Sequence, residues 1–176
     1  MSDPRRNVEL KARDRDPARS LGICASLGAE DRGVLRQRDT YFNAAAGRLK
    51  LREQDGQEAQ LIAYDRADQT GERTSSYRIV EVASAEELKE ALSTTLGVRV
   101  VVVKERRLFL WKGVRIHLDT VEGLGSFLEF EAVATPESDL SAERERVALL
   151  RDAFEITDGD LIATSYSDLL LSLGPH

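Results

Sequence analysis

The sequence is poor in the residues that mark several common classes of protein. It has a single cysteine, so no disulfide can form within the chain. Cys24 stands in a predicted helix among small apolar residues, which favours a buried side chain over a nucleophile. No apolar run approaches the ~18–20 residues that span a bilayer. The first residues also lack an apolar segment of the signal-peptide type. We therefore expect a cytoplasmic protein with no membrane contact.

Familiar catalytic and nucleotide-binding motifs are missing as well. The chain has no GxGxxG or Walker pattern, and no Ser-His-Asp, CxxC or HExxH arrangement. Its formal net charge is −6 and its pI about 5.1, which argues against broad, nonspecific nucleic-acid binding. A local basic pocket remains compatible with this charge. With 176 residues, 41% hydrophobic and 32% charged, the chain is predicted to form one globular domain over residues 1–176.

What the sequence does contain is a series of short segments with alternating apolar and polar residues. Alternation with period two predicts strands, and about eight are expected, at 7–14, 34–43, 47–53, 58–66, 76–82, 98–112, 114–122 and 126–134. The segment 98–112 could be two strands or one long bent strand. Short turns join most of them, which predicts a mainly antiparallel sheet.

Helices are predicted between some of these strands and at the end of the chain. Asp16 and Pro17 are typical of a helix start, and Gly28 is near its end. Ser84 with Glu87 forms a possible capping box for a second helix to Gly97. Two more helices are expected, at 141–154 and 165–173. Residues 67–74 are polar and predict a loop.

One face of each strand is charged, and the signs are segregated by strand. Cations recur at Lys50 and Arg52 and at Lys104 and Arg106, whereas carboxylates recur on the last strand. A solvated face of an open sheet would explain this pattern. A closed barrel of about eight strands would instead turn the charged faces inward, around a lumen for one small ligand. Cations on one wall and carboxylates on another, with Mg²⁺ between them, describe a polyphosphate site.

The charged strands resemble the CYTH domain, the fold of class IV adenylyl cyclases and thiamine triphosphatases, also called triphosphate tunnel metalloenzymes. The similarity runs from Val8 to Leu170. It rests on NVELK (7–11) beside the family's Glu-x-Glu-x-Lys, and on RLKLR (48–52), YDR (64–66), VVVKERR (101–107), IHLDTVEGLGSFLEFE (116–131) and SYSDLL (165–170).

The resemblance implies an α+β fold, a mainly antiparallel eight-stranded tunnel barrel with a charged lumen and helices outside. It implies that the triphosphate is held by Lys11, Lys50, Arg52, Arg66, Lys104 and Arg106. Four of these cations would be catalytic: Lys11, Arg52, Lys104 and Arg106. The metal, Mg²⁺ or Mn²⁺, would be held by Glu9, Asp119, Glu129 and Glu131. The partner would be a small-molecule organic polyphosphate, and a homodimer through outer sheet faces is possible.

Asn7 departs from the family pattern, because it replaces the first glutamate of the signature. An amide oxygen can bind a metal but carries no charge, so a second metal site would be weaker. The expected activity is that of a cyclase or a triphosphatase. Two alternatives stay open. One is a non-catalytic polyphosphate- or nucleotide-binding module. The other is an enzyme of specialised metabolism that ionises a diphosphate ester and needs an apolar pocket beside the cations.

Overall fold

The protein is a closed antiparallel barrel with helices packed outside it. The computed structural model describes residues 5–66 and 71–174, without the side chains of Arg5 and Arg66. Its strands are β1 (Arg5–Arg13), β2 (Glu30–Phe42), β3 (Arg48–Gln54), β4 (Ala59–Arg66), β5 (Arg73–Val82), β6 (Val98–Trp111), β7 (Val114–Val121) and β8 (Gly125–Val133). They pair in the closed order β1-β5-β4-β3-β2-β6-β7-β8. The predicted eight-stranded tunnel barrel is confirmed.

Four α-helices and one short 3₁₀ turn complete the described part of the chain. They are α1 (Pro17–Ser26), α2 (Ala85–Leu96), α3 (Ser141–Ala153), the 3₁₀ turn (Asp158–Asp160) and α4 (Tyr166–Ser172). Asp16 caps α1 as expected, because its side chain accepts a hydrogen bond from the backbone N–H of Arg19 at 3.0 Å. The predicted capping box of α2 is not formed, since the Ser84 side chain makes no cap hydrogen bond to any described residue.

The barrel wall is buried on both sides at β1. Every residue from Asn7 to Ala12 is buried, although the segment alternates polar and apolar. Leu10 faces outward into a core that includes Leu150 of α3 and Phe154. The rings of Phe130 and Phe154 lie 5.1 Å apart in this core, a contact worth about 0.5–1.5 kcal/mol beyond burial. Because helices cover the outer face, the polar residues of β1 must face the lumen.

The structure settles one alternative that the sequence left open and shifts the start of another strand. The segment 98–112 forms one strand, because β6 pairs along its length with the long strand β2. β5 begins at Arg73, within the predicted loop 67–74, because Arg73 pairs with Glu9 of β1. Residues 67–70 of that loop lie outside the described residues. Within the described residues, no helix is long and apolar enough to cross a membrane.

One end of the barrel is covered by α4, and we call it the α4 end. Here Tyr166 packs with Tyr41, Val102, Val121 and Phe127. At the other end, β2 and β4 begin and β3 and β5 end, since these strands are antiparallel. The C-terminal segment therefore closes the lumen at the α4 end, through the contacts of Tyr166.

Candidate functional site

The barrel encloses a cavity of about 420 Å³ with charge arranged by wall. The cationic wall consists of Lys50 and Arg52 of β3 and Lys104 and Arg106 of β6. The acidic wall consists of Glu9 of β1 and Glu129 and Glu131 of β8, with Lys11 beside them on β1. The uncharged wall comes from β4 and β5 and comprises Gln60, Ile62, Tyr64, Ser75, Tyr77 and Ile79. Closure of the barrel therefore turns these charged strand faces inward rather than toward solvent.

Most of the residues expected at the site line this one cavity: Glu9, Lys11, Lys50, Arg52, Lys104, Arg106, Glu129 and Glu131. Asp119 lies directly behind the cationic wall, where it contacts Arg106. The side chain of Arg66 lies outside the described part of the structure.

On β3, the two cations are held by a carboxylate that the sequence did not single out. Asp39 of β2 is 1% exposed. Arg52 donates two hydrogen bonds to it, both at 2.7 Å, and Lys50 donates one at 2.8 Å. Burial alone would raise the pKa of Asp39, but the charges of Arg52 and Lys50 outweigh it and hold that pKa well below its usual value. Asp39 is thus ionised and fixes both cations toward the lumen.

On β6, Arg106 is held in the same way by Asp119. Nε and Nη2 of Arg106 donate to the two carboxylate oxygens at 2.7 and 2.6 Å. The hydroxyl of Tyr166 also donates to Asp119, at 2.8 Å. Burial opposes the ionisation of Arg106, yet Asp119 keeps its pKa well above the ordinary value. The Arg106 guanidinium therefore has a fixed orientation in the cavity wall.

Lys104 is less well compensated than its neighbours. Its ammonium lies 4.0 Å from Asp119 and 5.2 Å from the centre of the Tyr166 ring. Burial, and next the positive charge of Arg106, lower the pKa of Lys104 well below its ordinary value. An anion in the lumen would stabilise the charged form of this side chain.

The carboxylates of the acidic wall are also paired. Glu129 lies 3.3 Å from both Lys11 and Arg106. Burial would raise the pKa of Glu129, but these two cations hold it well below its usual value. Nδ1 of His117 is 3.2 Å from Glu129. Burial and the charge of Arg106 lower the pKa of His117, so its imidazole is neutral at pH 7.

Glu9 and Glu131 have partners on neighbouring strands. Nε of Arg73 donates to Glu9 at 2.7 Å, and Arg73 also donates to the carbonyl oxygens of Ile162 and Ala163. Nδ2 of Asn7 donates to Glu131 at 2.7 Å. Arg73 thus ties the acidic wall to the segment that precedes α4.

The donor set of the acidic wall suits a hard divalent cation by its chemistry. Three carboxylates lie on the paired strands β1 and β8, and the buried Oδ1 of Asn7 accepts no hydrogen bond from the described residues. Among the described residues, however, no three His, Cys, Asp or Glu side chains converge as a metal-binding group. The carboxylates are instead held by Arg73, Lys11, Arg106 and Asn7. A metal ion would therefore take the place of these side chains at the carboxylates, and a polyphosphate would take the place of the carboxylates at the cationic side chains.

Three residues of the site were not predicted in these roles. Asp39 shares its strand face with Gln37 and Tyr41, which also line the cavity, so the alternation in 34–43 could have identified it. Arg73 fell in a predicted loop. Tyr166 lies in the SYSDLL segment without a predicted role of its own, yet the centre of its ring lies 3.8 Å from Nζ of Lys11. The position of Tyr166 depends on where α4 docks, which the local sequence does not specify.

Comparison with solved structures identifies the same fold in other proteins. The PH1012 protein of Pyrococcus horikoshii OT3 has a TM-score of 0.83 at 22% identity, covering 93% of this chain and 98% of that one. A proposed adenylate cyclase from Vibrio parahaemolyticus has a TM-score of 0.77 at 20% identity, covering 94% and 97%. HpAC1 from Hippeastrum, described with a dominant triphosphatase activity, has a TM-score of 0.61 at 19% identity, covering 97% of each chain. No curated protein matches the chain.

A family match agrees with this fold and with the charged lumen. The CYTH domain matches residues 5–166, from the first strand to the start of α4. This range includes every lumen-lining side chain named above. The chain therefore belongs to the CYTH domain family.

Proposed function

We propose that this protein is a metal-dependent enzyme that cleaves a phosphorus–oxygen bond of a nucleotide or another organic polyphosphate. The observation that carries the proposal is that the cationic wall and the acidic wall line one cavity of about 420 Å³. Phosphoryl transfer is catalysed mainly by positioning and by neutralisation of charge. Fixed guanidinium groups and a carboxylate-bound cation can position the phosphates and neutralise their charge.

In this proposal the cations bind the phosphate oxygens. Lys50, Arg52, Lys104 and Arg106 supply the charge, and Lys11 adds to it from β1. Arg66 stays a prediction of the family resemblance. Asp39 and Asp119 orient Arg52 and Arg106, so little reorganisation is needed when the substrate binds. The contacts of Asp119 with Arg106 favour this positioning role. Metal ligation by Asp119 stays a prediction.

The acidic wall would hold the metal. Glu9, Glu129 and Glu131, with the amide oxygen of Asn7, offer oxygen ligands of the kind that Mg²⁺ and Mn²⁺ prefer. When bound, the metal would supply Lewis-acid polarisation of a phosphoryl oxygen. Lys11, whose ammonium lies 3.3 Å from Glu129, would turn from this carboxylate toward the phosphate chain and leave its oxygens to the metal.

The reaction is distinguished by its nucleophile. Water at the terminal phosphorus gives hydrolysis, whereas a ribose 3′-hydroxyl at the α-phosphorus gives a cyclic nucleotide and pyrophosphate. The triphosphatase activity in the description of HpAC1 supports including hydrolysis among the candidate reactions. A second candidate, ionisation of a diphosphate ester, is supported by aliphatic side chains in the cavity lining, including Leu35, Ile62 and Leu108.

The test is to incubate the purified protein with ATP, other organic triphosphates, inorganic tripolyphosphate and geranyl diphosphate, with Mg²⁺ or Mn²⁺, and to identify the products by mass. Cyclic AMP with pyrophosphate would establish a cyclase, free phosphate a hydrolase, and pyrophosphate with a hydrocarbon or prenyl alcohol the second candidate. Tight binding without any product would contradict the proposal and indicate a binding module.

Matched variants locate the chemistry. Glu129→Gln should abolish turnover, whereas Glu122→Gln, an exposed residue in the β7–β8 turn, should leave it unchanged. Lys50→Met should weaken tripolyphosphate binding by about tenfold or more, since a hydrogen bond to a charged group contributes roughly 1.5–3 kcal/mol. Lys89→Met on α2, outside the barrel, is its control.

A further inference from the structure

The uncharged wall distinguishes one side of the lumen from the rest. Among the side chains that the structure describes, the six that β4 and β5 contribute to the cavity lining are all neutral, and they include the rings of Tyr64 and Tyr77. These two residues pair in register, as do Ile62 and Ile79. The wall is therefore a continuous surface of two aromatic and two aliphatic side chains with two small polar groups.

This surface begins next to the cations. Ile62 pairs in register with Lys50, and Gln60 pairs with Arg52. Neighbouring strands lie about 4.8 Å apart, so a phosphate held by Lys50 and Arg52 is one strand away from neutral side chains. A ligand whose phosphates are held by these cations can therefore place its uncharged part against this wall.

Amide groups extend the neutral surface at the end of the barrel opposite α4. Nε2 of Gln37 donates to Oε1 of Gln54 at 2.7 Å, which joins β2 to β3 beyond Arg52. Gln37 is 5% exposed, and its Oε1 accepts no hydrogen bond from any described residue. The amide network is thus incomplete within the described protein, and a hydrogen-bonding ligand group could complete it after a small side-chain rotation.

Phosphate oxygens fit this wall poorly. A charge that loses its water without gaining a counter-charge is strongly disfavoured, and the six neutral side chains supply none. An uncharged group with an apolar or aromatic face would instead gain from contact with Ile62, Ile79 and Tyr77. The cavity is therefore complementary to a ligand that is anionic at one part and neutral at the other.

We infer that the uncharged wall binds the uncharged organic group of a polyphosphate monoester, and that Ile79 helps to select such esters over inorganic polyphosphates. This inference rests on the proposed function, because it requires that the cationic wall binds the phosphates. Beyond that function, the inference assigns the organic group to one face of the lumen. It also names Ile79 as the residue whose substitution tests this assignment.

The experiment compares ligands with the same number of phosphates by titration calorimetry in EDTA, so that no metal-dependent turnover occurs. ATP, GTP, CTP and UTP are each compared with tripolyphosphate, and geranyl diphosphate is compared with pyrophosphate. At least one ester should bind about tenfold or more tightly than its inorganic counterpart. Ile79→Lys should reduce that ratio by about tenfold or reverse it, because it adds a cation to the neutral wall.

Val80→Lys is the matched control, since Val80 is the next residue of β5 and is 59% exposed. It adds the same charge outside the lumen and should leave the ratio within about twofold. If Ile79→Lys does not fold, Ile79→Ala takes its place. It should weaken binding of the ester and leave binding of the inorganic anion unchanged.

The outcomes separate this inference from the proposed function. If inorganic anions bind as tightly as every ester, or if neither substitution of Ile79 changes the ratio, the inference is wrong and polyphosphate binding stands. If neither the esters nor the inorganic anions bind the wild-type protein, either in EDTA or with Mg²⁺ present, the proposed function fails, and the inference fails with it.

Discussion

Arg52 and Asp39 form a bidentate ion pair across β3 and β2, with both hydrogen bonds at 2.7 Å. Asp39 also accepts a hydrogen bond from Lys50, so one buried carboxylate holds two cations of the lumen. This arrangement allows like charges to stand side by side in a cavity wall before any ligand is bound. Removing one partner of such a buried pair leaves the other charges uncompensated, which is more costly than the loss of one contact.

Asp39→Asn should therefore destabilise the protein strongly. The amide keeps the volume of the side chain but removes its charge, and Lys50 and Arg52 are left to repel each other. We expect the free energy of unfolding to fall by about 3 kcal/mol, measured by urea denaturation at pH 7. The control is Asp31→Asn on the same strand, whose exposed ion pair with Arg107 should contribute far less to stability. Equal effects of the two substitutions would contradict the anchoring role of Asp39.

The contribution of Asp39 should also depend on pH in a defined direction. Its folded pKa lies well below that of an unfolded aspartate, about 3.9. The stabilisation is therefore fully present above pH 4 to 5, and it is lost as the pH falls through the folded pKa. The stability difference between the wild type and Asp39→Asn should be constant from pH 7 to 5 and shrink below pH 4. Urea midpoints over this range measure it, and a difference that grew on acidification would have the wrong sign.

Tyr166→Phe tests whether α4 supports the cationic wall. The substitution removes the 2.8 Å hydrogen bond to Asp119 but keeps the ring, which lies 4.9 Å from Phe127 and 3.8 Å from Lys11. We expect a loss of about 1.5–3 kcal/mol in the free energy of unfolding. Tyr166→Leu, which also removes the ring contacts, should be less stable than Tyr166→Phe. If the phenylalanine variant unfolds like the wild type, the hydroxyl does not stabilise the Arg106–Asp119 pair.

Cys24 should be chemically inert in the folded protein. Its side chain is 0% exposed, and burial raises the pKa of its thiol to about 11, so little thiolate exists at pH 8. Iodoacetamide should label the native protein very slowly and the urea-unfolded protein quickly. Exposed Ala25 gives the control: in a Cys24→Ala background, Ala25→Cys should react without denaturant. Rapid labelling of native Cys24 would contradict the burial of its side chain in the hydrophobic core between α1 and the barrel.

Much of the barrel could be predicted because strand geometry is local. Side chains alternate across a strand with period two, so the pattern around Lys50 and Arg52 assigns both to one face without any knowledge of the neighbouring strands. The same argument places Glu129 and Glu131 together. The sequence could not decide between the two interpretations of these faces, a solvated surface or a lumen, because both have the same alternation.

The residues that support the site were harder to predict because their partners are distant in sequence. Arg73 binds Glu9 across 64 positions, and Tyr166 binds Asp119 across 47. Asp39 was on a predicted strand, but its pairing with Arg52 depends on the register between β2 and β3. Such contacts exist only after the strands have aligned, so a local pattern cannot specify them.

By itself, the sequence determined the strands, their charged faces and the similarity to the CYTH domain, because alternation and residue order are properties of the chain. The tertiary structure decided that these faces line one lumen, since closure of β1 against both β5 and β8 turns them inward. It also decided which carboxylates hold the cations, and it separated the neutral surface of β4 and β5 from the charged walls. Those features depend on barrel closure and strand register, which bring distant residues within hydrogen-bonding distance.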